Sequence, residues 1–504
     1  MQTSFDRGLM WFRRDLRSKD NAALAHALRC CRELHCAFVF DGDILQSLPR
    51  QDRRVQFIHE SLQVLDAALR RMAGSERAGL IAVHARASTE IPALAKRLGV
   101  QAVFANHDYE PQALARDAAV RGALAQDGIL LLTFKDQVIF EKTELLTQSG
   151  LAYSVFTPYK NAWLRKLHTQ PVQPWTVPAH TSTLAPRPDG VPHALPTLND
   201  LGFAPSQTKG MPLQGGQDSA QALLAGFAHR IDRYHETRDY PAIRGPSYLS
   251  VHLRFGTLSV RAAVGLAHAL AATGNQGAQT WLSELIWRDF YFQILANFPH
   301  VVDAHGSSHS FRREYDAIRW ESGKTAYALF DAWCQGLTGY PLVDAAMAQI
   351  NQTGYMHNRL RMVVASFLCK TLGLDWRWGE RYFALQLNDF DLAANNGGWQ
   401  WASSSGCDAQ PYFRIFNPVS QSQRFDPEGK FIRKYLPQLS KLSLTAIHEP
   451  WSASLADLAA AGVVLGQNYP HRVVIHEEQR QRTLERYAAA KQASTSARIG
   501  LKKR

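Results

Sequence analysis

Over the first 135 residues, short apolar runs alternate with longer amphipathic stretches, and this rhythm constrains the fold more than any other feature of the chain. The runs at 9–12, 36–40, 80–85, 102–105 and 129–134 are too short for helices and apolar throughout, the pattern of strands buried on both faces. Between them lie helical patterns, such as Val55, Ile58, Leu62, Leu65 and Leu69 at three- and four-residue spacing. Strand alternating with helix predicts an α/β domain over 1–135 built on a doubly wound parallel sheet. A ligand of such a sheet sits beyond the carboxyl ends of its strands. No G-x-G-x-x-G follows the first run and no G-x-x-x-x-G-K-[ST] occurs in the chain. A standard dinucleotide fold and a P-loop ATPase are therefore disfavoured.

The rhythm stops at residue 136. From 136 to 216 the chain reads as a long linker of extended, irregular structure, with seven prolines between Pro171 and Pro196 and a glycine pair at Gly215 and Gly216. From 217 to 487 the apolar period is helical, beginning with the stripe Leu223, Leu224, Phe227, Ile231 and Tyr234, and this predicts an all-α second domain. The last segment, 488–504, is small, polar and basic and reads as a flexible tail. No stretch approaches the roughly 18 uncharged apolar residues that a membrane helix needs. The N-terminal residues lack an apolar run with a cleavage site, and the six cysteines show neither C-x-x-C pairs nor histidine partners at zinc spacing. These features predict a cytoplasmic chain without disulfides or a structural metal.

Lysine and arginine total 56 against 44 acids, a net charge of +12, which fits a polyanionic partner. Of the twelve tryptophans most are expected in the core, and some offer stacking surfaces for bases or a cofactor ring. Three segments concentrate unusual residues. In W-L-S-E-L-I-W-R-D-F-Y, Glu284, Trp287 and Tyr291 share one helix face, a carboxylate between large rings. In M-H-N-R-L-R-M, Asn358 and Met362 share a face beside Arg359 and Arg361. In N-D-F-D-L-A-A-N-N-G-G-W-Q-W, Asp389, Asp391, Asn395, Asn396, Trp399 and Trp401 surround a glycine pair. Each glycine costs a helix about 1 kcal/mol relative to alanine. Close backbone approach to a planar ligand accounts for that pair.

These segments carry a resemblance. W-F-R-R-D-L-R-S-K-D-N, T-G-Y-P-L-V-D-A-A-M, G-Y-M-H-N-R-L-R-M, D-W-R-W-G-E-R-Y-F, D-L-A-A-N-N-G-G-W-Q-W and P-Y-F-R-I-F-N-P resemble the DNA photolyase and cryptochrome family. The likeness spans about residues 7–480 and is strongest to the bacterial class I enzymes that act on cyclobutane pyrimidine dimers. It implies a monomeric, light-driven repair enzyme of UV-damaged DNA with FAD in the helical domain. The runner-up is a cryptochrome, a blue-light receptor of the same fold without repair.

The resemblance also implies roles. Tyr234, Ser247, Leu249 and Ser250 would hold the FAD phosphates, although Pro246 and Tyr248 depart from the family's usual residues there. Asp389, paired with Arg361, and Asp391 would contact the flavin, and Asn395 would face its N5 and favour the reduced forms. Glu284 would hydrogen-bond the dimer, while Trp287 and Trp401 pack on its two rings. Tyr291, Asn358, Arg359 and Met362 would complete the pocket, with Arg238 and Gln421 on the DNA strand. Trp399, Trp376 and Trp320 match the family's chain for electron transfer from the surface to the flavin. The first domain would hold an antenna chromophore. In N-H-D-Y-E-P-Q-A-L-A-R-D, Gln112 and Ala113 replace the Asn-Glu pair of folate binders, which leaves a deazaflavin, another flavin, a folate or an empty site.

Overall fold

The computed structural model describes residues 4–191, 193–206 and 213–502. Five strands, β1 (Phe5–Phe12), β2 (Cys31–Asp41), β3 (Leu80–Ala85), β4 (Ala102–Asn106) and β5 (Leu130–Phe134), form one parallel sheet in the order β3-β2-β1-β4-β5. Helices cover both faces, and this is why the central stretches of the strands are apolar, while charged residues near the starts of β1 and β2 are exposed. Along β1, Met10 and Phe12 point into one core while Leu9 and Trp11 point into the other. Gly8 pairs with Leu34 of β2 and Ala102 of β4, and a Cβ there would stand 2.5 Å from the Cys31 sulfur. The strand order reverses between β1 and β4, so the crevice of the sheet opens at Arg13 and Asn106.

The rest of the chain is helical, as the apolar period predicts. Its largest core gathers Trp333, Trp376, Trp399 and Phe383 from helices Gly323–Gln335, Trp376–Gln386 and Leu392–Ala402. Gly379 is required there because a Cβ would lie 2.0 Å from the Trp399 ring.

Two expectations need correcting. The segment read as an irregular linker contains the helix Phe156–Thr169, which buries Phe156, Tyr159, Trp163 and Leu167 in a core shared with Phe227, Trp281 and Phe290. The prolines that suggested extended chain all follow this helix; before them, the spacing is plainly amphipathic. Asp289, fully buried in the helix Gln276–Asn297, stitches the segment down. It accepts from Ile139 N at 2.9 Å, Phe140 N at 3.3 Å and Trp163 Nε1 at 3.1 Å. The second correction concerns the flexible tail. Residues 488–502 continue the helix His476–Lys502. That helix is anchored where Thr483 donates to the Lys370 carbonyl at 2.7 Å and Tyr487 to the Ser403 carbonyl at 2.6 Å. The alanine-rich sequence beyond then propagates it.

The two halves meet at the carboxyl end of β1. Gly256, at φ 63°, lets the helical half approach so closely that a Cβ would lie 2.1 Å from the Arg14 carbonyl oxygen. Around this contact, Asp136 accepts from Arg17 at 2.7 Å and Arg261 at 2.6 Å, and Arg261 also reaches Asp20 at 2.8 Å. Burial pushes the Asp136 carboxyl up, but the two guanidiniums outweigh it and hold it below the ordinary carboxylate range.

Candidate active site

A cavity of about 470 Å³ opens among the helices Gln276–Asn297, Asn358–Ser366, Trp376–Gln386 and Leu392–Ala402. Helical spacing decides which side chains reach it. The first helix, whose N-cap Asn275 accepts from Ala278 N at 2.8 Å, contributes Glu284, Trp287 and Tyr291. The second contributes Asn358, Arg361 and Met362, and the fourth Asn395, Gly398, Trp399 and Trp401. Arg238 and Ser250 complete the wall, with Asp389 and Asp391 from the turn before the fourth helix. Tyr234, Ser247, Leu249, Arg359, Gln421, Trp320 and Trp376 lie outside this lining.

One group of lining residues mixes charges with large rings. Arg238 donates to Glu284 Oε1 at 2.7 Å, so two residues expected to touch different parts of one partner hold each other. Arg238 also lies over the Tyr234 ring, 5.6 Å from its centroid, and Tyr234 packs in the core beneath. Trp287 stands edge-on to Phe290 and tilted against Tyr291, with Trp401 on the facing wall. Just outside, Arg359 donates to Asp239 at 2.9 Å and covers the Phe425 ring at 4.4 Å. The Oε1 of Gln421 is buried with no hydrogen-bond partner.

A second group of lining residues is built to meet a polar planar ligand. Arg361 binds both oxygens of Asp389, at 3.0 and 2.8 Å, and its Nε donates to the Met356 carbonyl at 2.9 Å. Asn395 donates to the Glu380 carbonyl at 3.1 Å, which fixes the amide of a side chain lining the cavity. The Trp399 Nε1 is buried without a partner. The glycine pair divides its work. A Cβ on Gly397 would lie 2.1 Å from the Tyr291 ring, so that glycine serves helix packing; a Cβ on Gly398, which lines the cavity, would meet nothing within 4 Å. The open face over Gly398, the orphan Trp399 N–H and the fixed Asn395 amide together fit a flat heteroaromatic ring with polar edges.

Asp391 has a role that the sequence did not disclose. It caps the helix Leu392–Ala402, accepting from Ala393 N at 3.1 Å and Ala394 N at 3.3 Å. Its other oxygen takes Arg14, from the end of β1, at 2.5 Å. Arg14 in turn reaches Glu110 at 2.8 Å and Asp108 at 3.3 Å, and Arg254 joins Glu110 at 2.7 Å. Burial would raise the Asp391 pKa, yet Arg14, Arg254 and Arg288 hold it below the ordinary carboxylate value. The helix that carries Asn395, Trp399 and Trp401 is thus pinned at its start by the sheet domain.

Of the three tryptophans in the expected transfer chain, Trp399 and Trp376 are buried and Trp320 is half-buried, edge-on to Tyr487 at 6.2 Å. The rings nearest Trp399 are Phe383 at 5.0 Å and Trp333 at 6.1 Å. Trp333 was not singled out from sequence, since nothing in its spacing separates it from core packing.

Comparisons with known proteins give the family. Residues 8–179 match the family model for DNA photolyase, and residues 281–489 match that for the FAD binding domain of DNA photolyase. The chain is 39% identical to the deoxyribodipyrimidine photo-lyase of Vibrio cholerae, covering 96% of this chain and 99% of that one. It is 38% identical to the enzyme of the same name from Escherichia coli, over 96% and 98% of the two chains. Among solved structures, a bacterial class III photolyase from Agrobacterium tumefaciens superposes with a TM-score of 0.84 at 33% identity, covering 98% of each chain. A cryptochrome from Synechocystis gives the same TM-score at 27% identity, over 96% of this chain and all of that one. An archaeal photolyase from Sulfolobus tokodaii with two FAD molecules gives 0.77 at 32%, again over 96% of this chain and all of that one.

Proposed function

The chain belongs to the DNA photolyase family, and from that premise we propose that its helical cavity holds FAD beside a pyrimidine dimer flipped out of UV-damaged DNA. The activity is that of a deoxyribodipyrimidine photo-lyase, a carbon–carbon bond cleavage, and FAD is its cofactor. The observation that carries the finer reading is that one cavity is lined by two chemically distinct groups of side chains. One group combines the Arg238–Glu284 pair with Trp287, Trp401, Asn358 and Met362; the other combines Asn395, the Arg361–Asp389 pair and the open face of Gly398.

FAD, when bound and reduced, supplies one electron to the dimer on absorbing light and takes it back after the ring opens. The protein's own part is placement and electrostatics. Asn395, held by the Glu380 carbonyl, would offer its amide to the ring system. Arg361 and Asp389 would complement its polar edge, and Ser250 of the lining would hold the phosphates with Tyr234, Ser247 and Leu249, which lie outside the lining. Trp287 and Trp401 receive the two fused pyrimidines, whose faces suit aromatic stacking. Arg238 orients Glu284 so that its carboxylate accepts from a pyrimidine N–H. Met362 and Asn358 close the wall and keep water from the dimer. Arg359 and Gln421 flank the strand, and the excess of basic residues draws the phosphate backbone.

The test mixes photoreduced protein with an oligonucleotide carrying one thymine dimer and compares blue light with darkness by chromatography. Intact thymines should return only in the light. Failure of a protein that holds reduced FAD would overturn repair and favour the signalling role of the cryptochrome relative. A second, light-harvesting chromophore in the sheet domain belongs to the same reading. Acid release followed by chromatography distinguishes deazaflavin, flavin and folate.

A further inference from the structure

The tightest ring contact of the cavity wall lies behind it. Phe156 stacks on Trp287 with centroids 3.6 Å apart and planes 7° from parallel. Phe156 is buried, and it belongs to the segment that the sequence presented as mere connector. Its own position is fixed from three sides. Its ring meets Phe290 edge-on at 5.8 Å, and the helix it opens is tied to Asp289 through Trp163. Its backbone N–H donates to Asp408 Oδ2 at 3.0 Å. No side chain of the preceding residue caps this helix, so a carboxylate from the loop after Trp401 supplies the acceptor that its first turn lacks.

We propose that Phe156 is a positioning residue for dimer recognition: it covers one face of Trp287 and fixes the plane that the other face presents to the lesion, while Asp408 holds Phe156 in register. The inference rests on the reading of Trp287 as a wall of the dimer pocket. Trp287 touches Tyr291 and Phe290 only in tilted and edge-on geometry, neither of which prevents the indole from rocking about its side-chain torsions. A parallel ring at van der Waals distance does. A wall already in place loses no side-chain entropy when the lesion arrives, and this is how preorganisation strengthens binding.

The experiment titrates the holoenzyme, in the dark, with a duplex carrying one thymine dimer and with the same duplex undamaged. Phe156→Leu keeps an apolar side chain but removes the flat ring. It should weaken dimer binding about fivefold, the scale of a lost aromatic pair. Affinity for undamaged duplex and the FAD content should be unchanged. Asp408→Asn should give the same pattern at about twofold, and Phe156→Tyr, which keeps the ring, should behave as the parent. In a Trp287→Ala background, Phe156→Leu should add nothing, because its target is gone. Full additivity there, or equal losses on damaged and undamaged DNA, would make Phe156 a packing residue and overturn the proposal. An unchanged dimer affinity in Trp287→Ala alone would overturn the reading of the pocket and the proposal with it. Normal loss in Trp287→Ala with none in Phe156→Leu would overturn the proposal alone.

Discussion

Two of the places where charge gathers in the molecule, the joint at β1 and the helical cavity, are completed differently. At the carboxyl end of β1 and β4 the arginines meet carboxylates of the chain itself. Arg13 grips both oxygens of Asp117 at 2.5 and 2.6 Å, Arg14 gathers Asp108, Glu110 and Asp391, and Arg17 shares Asp136 with Arg261. In the helical cavity the chain stops short. Trp399 keeps an orphan N–H, Gly398 leaves open space, and Trp287 and Trp401 face a void. The first set of charges joins two domains; the second, paired within the chain as Arg238–Glu284 and Arg361–Asp389, lines an open cavity. Both sites derive from strongly patterned motifs, so motif density alone does not separate a joint from an active site. What separates them is the space beside the paired side chains: the joint is closed by packing, whereas the pairs Arg238–Glu284 and Arg361–Asp389 line an open cavity of about 470 Å³.

The sharpest way to break this comparison is to remove an acid from the joint. Asp136→Asn leaves Arg17 and Arg261 buried without their shared counter-charge, and such a loss costs about 3–5 kcal/mol of stability. Denaturation monitored by circular dichroism should show it, with the FAD absorbance of the surviving folded protein unaltered. The pH dependence has a definite sign. The folded carboxyl is held below its unfolded value, so its contribution is present above about pH 4 and fades as pH falls through the folded pKa. The gap between wild type and Asp136→Asn should therefore close toward acid. A variant that lost FAD but kept its stability would place the joint in the cofactor's chemistry instead.

The cavity predicts the reverse pattern. Asp389→Asn deprives Arg361 of a charged partner beside the flavin, and should weaken FAD retention by about 1.5–3 kcal/mol, the range for a hydrogen bond to a charged group. Equilibrium dialysis measures this directly. Trp401→Ala should cost about 1–3 kcal/mol in affinity for a dimer-containing oligonucleotide, the range for one stacked base, and little for undamaged DNA. Gel-shift titration with both oligonucleotides separates the two. Equal losses on both would make Trp401 a general DNA contact.

The same contrast explains what the sequence could and could not disclose. The parallel sheet was legible because apolar runs buried on both faces have no other use, and the helical half because its period changes at once. The helix face of Glu284, Trp287 and Tyr291, and that of Asn358 and Met362, do meet in one cavity, since helical spacing alone decides it. The glycine pair was half legible: Gly398 opens on the cavity, while Gly397 is small only because Tyr291 crosses it. Asp391 as a cap held by Arg14, Phe156 behind Trp287 and Asp408 on the Phe156 N–H were all hidden. Each depends on contacts between residues more than 100 apart in the chain, and no local period encodes those. The helix Phe156–Thr169 was hidden for a different reason, the prolines downstream that set the character of the whole segment.

Lys370 offers the finest test, because it belongs to neither class. It is a buried cation in the π-helical segment Phe367–Thr371 whose partners are neutral oxygens, Ser404 Oγ at 2.9 Å and the Arg414 carbonyl at 3.1 Å. Burial pushes its amine down to about 7, with Cys369 opposing and the Arg414 charge adding a smaller push in the same direction as burial. In the unfolded chain the same amine titrates near 10.4. Between those values the unfolded state binds more protons, so this group makes the protein more stable as pH rises. The slope is at most about 1.4 kcal/mol per pH unit, and the effect vanishes below the folded pKa, where both states are charged. Lys370→Met should remove that slope. Comparing the midpoints of the two proteins from pH 7 to 8.5 stays below the range where tyrosines titrate, and the difference cancels groups common to both. A widening advantage of wild type with pH would show that neutral partners leave the folded protein holding a neutral amine. Parallel curves would mean that two oxygens suffice to keep a buried ammonium charged, and the joint at β1 would then hold more acids than its charge requires.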